Sequence, residues 1–91
     1  METVEFTSHR IELGQRIAGL RNNQRLSGRK FALMIGISRT YLRKIESAEA
    51  SPTFDMLERI AAGLGVPVAE LVSFNDTKDE SLSLEYYDFT R

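Results

Sequence analysis

The stretch from Ser27 to Ser47 constrains this chain more than any other part. It reads SGRKFALMIGISRTYLRKIES. Ser27 offers a side-chain oxygen to cap a helix, and Phe31, Ala32 and Ile35 fall on one face of that helix. Gly36 stops it, because glycine tolerates the positive φ of a sharp turn. Ser38 then caps a second helix, running to about Ser47, with Leu42 and Ile45 inward. Two helices this short cannot bury their apolar faces alone. They must cross, with Ala32 small where the second passes close above it. Ile37 and Leu42 fill the angle between them.

The rest of the chain reads as support for this pair. A helix is expected from about Arg10 to Asn23, with Leu13, Ile17 and Leu20 in one stripe. Pro52 bars helical continuation after Ala48-Glu49-Ala50. Thr53 caps a fourth helix, striped by Leu57, Ile60, Ala61 and Leu64 and ended by Gly65. A short fifth helix follows Pro67, with Val68, Leu71 and Val72 apolar. Phe31 and Phe54 are both expected in the core. The chain of 91 residues has room for one core. The predicted fold is all-α with five helices. The organisation is an arm over residues 1–9, a domain over 10–72 and an acidic, aromatic tail over 73–91.

The whole-chain charge of −1 hides a strong asymmetry. Between Arg10 and Lys44 lie Arg10, Arg16, Arg21, Arg25, Arg29, Lys30, Arg39, Arg43 and Lys44 against the single acid Glu12. From Ile45 onward acids outnumber bases. Steering toward a polyanion depends on the local field, so one basic face suffices. Other classes have little support. There is no cysteine and one histidine, which leaves no zinc site, and no cofactor is expected. No nucleophile–base–orienter set appears, so the chain does not read as an enzyme. METVEFTSHRIELGQ lacks the apolar core of a signal peptide, and FALMIGI is too short to span a bilayer. A cytoplasmic protein without a membrane partner is the expectation.

Two short helices joined by a glycine turn, the second basic on its outer side, make a helix-turn-helix. The run LG..I..LR, then LS...A...GIS..YL..IE, then P....L..IA..LGV...EL, spans about residues 13–72. As a set it resembles the phage-repressor-like (Cro/lambda-repressor, XRE) family of DNA-binding domains. The resemblance implies a lambda-repressor-like domain whose third helix reads double-stranded DNA in the major groove. By that resemblance Ser38, Arg39, Thr40 and Lys44 face base edges. Ser27, Gly28, Arg29, Lys30, Tyr41 and Arg43 approach the phosphate backbone. Arg21 and Glu46 match a structural ion pair tying the first helix to the end of the third.

Departures from the family bear on affinity. Glutamine is common where this chain has Gly28, and Glu49 stands in a loop that often carries glycine and basic residues. Modest affinity per monomer follows, which makes a homodimer important. Arg16, Arg25 and Arg59 read as solvated, and His9 as a surface residue. The tail ends in LSLEYYDF, whose Leu82, Leu84 and Tyr86 alternate with polar residues as in a strand. TVEFT alternates weakly too. Short terminal strands, pairing with each other or with a second chain, are one expectation, and disorder is the other. The alternative function is an antitoxin or interaction adaptor on the same fold, gripping a protein partner through the tail.

Overall fold

The computed structural model describes residues 4–74, with side chains from residue 9 onward. Five helices occupy this span: α1 (Val4–Asn23), α2 (Gly28–Ile35), α3 (Arg39–Glu46), α4 (Phe54–Leu64) and α5 (Val68–Leu71). The expected tail strand lies outside the described residues. From Val4 onward the expected arm is helical, and the described part of TVEFT is not a strand, because α1 already begins at Val4. The reason is hydrogen bonding. A lone strand needs a neighbour for its N–H and C=O groups, whereas lengthening an existing helix satisfies each within the chain.

The boundaries inside the domain follow their capping residues. Ser27, Ser38 and Thr53 are N-caps whose hydroxyl oxygens accept from the N–H of Lys30, Tyr41 and Met56 at 3.0, 3.0 and 3.1 Å. Gly36 closes α2 with φ 78°, and the N–H of Ile37 reaches back to the carbonyl of Ala32 at 3.0 Å. This left-handed closure turns the chain into α3 within two residues.

The same closure ends α3, but with Ala48 in the left-handed position at φ 67°. The N–H of Glu49 bonds the carbonyl of Lys44 at 2.8 Å. An alanine β-carbon is unfavourable there. Ala48→Gly is therefore expected to stabilise the domain by about 0.5–1 kcal/mol, which a thermal melt resolves as a rise of a few degrees.

The core is one cluster: Leu13, Ile17, Phe31, Ala32, Ile35, Leu42, Ile45, Ile60, Ala61, Leu64 and Leu71. Each helix contributes to it, and α1 packs on α3, α4 and α5 while α2 packs on α3 and α4. Phe31 is fully buried as expected, but Phe54 is 61% exposed. The α4 stripe does continue to Phe54, yet burial fades along it from Leu64, Ala61 and Ile60 through half-buried Leu57. Met56 and Leu57 of the first turn of α4 still pack against the core, and Phe54 does not.

Two solvated arginines of the sequence reading are in fact clasps. Arg16 pairs with Glu12 at 3.1 Å and donates from Nη1 to the carbonyls of Glu70 and Ser73, so it binds the end of α5 to α1. Arg59 reaches the carbonyl of Ile35 at 3.4 Å. Cations suit both places, since they sit at helix C-termini. His9 is half-buried and stacks on Phe74, with ring centroids 4.6 Å apart.

Candidate nucleic-acid interface

Helix α3 is sharply two-sided. Leu42 and Ile45 are each 1% exposed and anchor it to the core. Arg39, Thr40, Arg43 and Lys44 are exposed on the opposite side. Helical spacing places Arg39 above Arg43 and Thr40 above Lys44, as two i, i+4 pairs. Arg39, Thr40 and Arg43 line a shallow depression of about 270 Å³.

The cations of this face are not spent on the protein itself. Among the described residues, Arg39, Arg43 and Lys44 are in no ion pair, and neither are Arg29 and Lys30 on the first turn of α2. Arg21 and Glu46 behave differently. They meet at 2.8 Å through Nε and 2.9 Å through Nη2, a two-pronged bond behind α3. Hydrogen bonding to Glu46, together with its charge, raises the pKa of Arg21 against the opposing effect of burial.

Other predicted site residues fall into two groups. Ser38 and Ser27 are exposed, but each hydroxyl oxygen already accepts a cap bond, which leaves its hydrogen free to donate outward. With Lys30 N–H satisfied by Ser27, the N–H groups of Gly28 and Arg29 remain the outward donors of α2. Gly28 is not demanded by packing, since a β-carbon there would meet Leu42 Cδ2 at 3.9 Å and Arg21 Cζ at 4.0 Å. Tyr41 is half-buried and packs against the core, so only part of it is open to a backbone contact. The carboxylate of Glu49 accepts from Ser47 Oγ at 2.9 Å.

A helix-turn-helix family model matches residues 17–71. The chain belongs to the helix-turn-helix family. It is a DNA-binding transcriptional regulator of the phage-repressor-like kind. It is 36% identical over 72 residues to the control protein C.MunI of a Mycoplasma species, covering 78% of this chain and 95% of C.MunI. It is 35% identical over 62 residues to the immunity repressor of Bacillus phage phi105. That match covers 68% of this chain but only 43% of the repressor.

Solved structures agree on the fold. The restriction-modification controller protein C.AhdI of Aeromonas hydrophila superposes with TM-score 0.66 at 26% identity, over 67% of this chain and 92% of C.AhdI. A transcriptional regulator of Vibrio cholerae gives 0.69 at 28% identity, over 74% of this chain and 38% of that one. Among the described residues no helix of this regulator is long and apolar enough to cross a membrane.

Proposed function

We propose that this regulator acts in the cytoplasm as a homodimer that lays α3 in the major groove of double-stranded DNA, by binding alone and without catalysis. Ser38, Arg39, Thr40 and Lys44 read base edges. Ser27, Gly28, Arg29, Lys30, Tyr41 and Arg43 hold the backbone. The observation that carries this reading is the outer side of α3, exposed and cationic without carboxylate partners among the described residues, on a helix whose inner side is fully buried. Arginine grips O6 and N7 of guanine with two parallel bonds, and a threonine methyl packs on that of thymine. The free N–H groups at the start of α2 suit a phosphate.

A second copy fits the same logic. One α3 reads only a few base pairs, so a selective complex needs two half-sites, about 34–36 Å apart. Large exposed apolar side chains away from α3 include Phe54 and Val72, and Val72 borders a pocket with Pro52, Leu57 and Phe74. This edge is the proposed two-fold contact. Between the two kinds of relative, the control proteins match along nearly their whole length. That supports a controller-type regulator that reads DNA with this one domain.

The test is selection of sites from random DNA, with the mass of the complex measured alongside. Six phosphate contacts from Arg29, Lys30 and Arg43 of two copies predict a slope of about −5 in log affinity against log salt. Affinity then falls by about a thousandfold between roughly 50 and 200 mM salt. A chain that enriches no sequence and passes a random-DNA column unretained at low salt is not this regulator.

A further inference from the structure

Helix α1 meets the far end of α3 with no side chain between them. At Gly14 a β-carbon would lie 2.5 Å from the carbonyl oxygen of Glu46 and 2.7 Å from that of Ile45. Both are main-chain atoms, and they cannot swing aside as the tip of a side chain can. Two turns along the same helix, Arg21 holds the Glu46 carboxylate through two nitrogens and the carbonyl of Leu26 at 2.7 Å. The C-terminal end of α3 is thus fixed from behind at two points, a backbone stop and a guanidinium fork. The N-terminal end is fixed separately, by the turn at Gly36 and the Ile37-to-Ala32 bond.

We propose that Gly14 is a specificity-determining positioning residue, which sets how far the Lys44 end of α3 stands out from the domain. The inference rests on reading α3 as the recognition helix. Carbon–oxygen contacts settle near 3.3–3.6 Å, so an added methyl pushes the α3 end outward by about 1 Å. Hydrogen bonds to base edges span only a few tenths of an ångström around their optimum. A shift of that size disrupts the contact from Lys44. Contacts from Ser38 and Arg39, beside the turn, move much less. Phosphate contacts depend chiefly on charge, and they survive.

The test uses full-length Gly14→Ala and the tightest duplex recovered from a random-sequence pool, with its single-base-pair variants. Circular dichroism in the binding buffer establishes the folded fraction. Discrimination is expected to fall about tenfold at the base pairs that Lys44→Ala maps, and to stay within about twofold at those that Arg39→Ala maps. The salt slope should not change. Equal loss at every position, or no loss at any, overturns the proposal. Should Gly14→Ala not fold, Arg21→Lys releases the same helix end by removing the fork while keeping the charge. Its losses must show the same polarity, and a uniform profile again overturns the proposal. A wild-type protein that discriminates nowhere removes the recognition-helix reading, and this inference with it. A discriminating wild type beside an equally discriminating, folded Gly14→Ala removes this inference alone.

Discussion

Replacing Arg39 and Lys44 together with alanine is expected to leave a folded protein that still binds DNA at low salt but no longer chooses among sequences. Both side chains are exposed and unpaired in the described structure, so the core loses nothing. The helix gains slightly, because alanine is the best helix former. Each good base contact contributes about 1–3 kcal/mol of discrimination. Losing two lowers the ratio of selected to random DNA affinity by about a hundredfold or more. Arg29, Lys30 and Arg43 remain, and with them most of the salt-dependent attraction. Competition titrations of selected against scrambled duplex measure the ratio directly. If the double variant keeps the wild-type ratio, the bases are read by something other than α3.

The same two-sidedness explains why so much of the domain was legible in the sequence. Caps are local events: Ser27, Ser38 and Thr53 needed only their own side chain and the N–H three residues on. Gly36 and Gly65 needed only a positive φ. Periodicity likewise gave the buried stripes of α2, α3 and α4, because a helix commits each residue to one face. What stayed hidden depended on where elements end relative to one another. Phe54 has the right phase for the core, but among the described residues it is left exposed at the start of α4. Arg16 looks solvated in any linear reading, since the carbonyls it binds, Glu70 and Ser73, are more than fifty residues away. Gly14 stands in the LG..I..LR run, but nothing in that run tells what the glycine is for. The close approach of α1 to the carbonyls of α3 is a tertiary fact.

Breaking the Arg21–Glu46 pair is the expected test of how rigidly α3 is held. Their side chains are 13% and 15% exposed, so the pair is mostly out of water. Removing one partner from such a site strands the other charge, at a cost of about 3 kcal/mol. In a domain of this size that lowers the melting temperature by roughly 10–20 °C. Arg21→Ala should be the more damaging substitution, because Leu26 then also loses the donor to its carbonyl. Removing both partners should cost less than the two single losses combined, since no stranded charge remains. Replacement by Met and Leu, of similar bulk, is expected to come close to wild-type stability. The pH dependence has a definite sign. The folded pKa of Arg21 lies above its ordinary value, so on the alkaline side the stabilisation is undiminished from neutral pH up to that ordinary value and is lost only as pH climbs past the raised one. The gap between wild type and Arg21→Ala should therefore stay level from neutral pH into the mildly alkaline range. A gap that closes there would mean the guanidinium is not what fastens the end of α3.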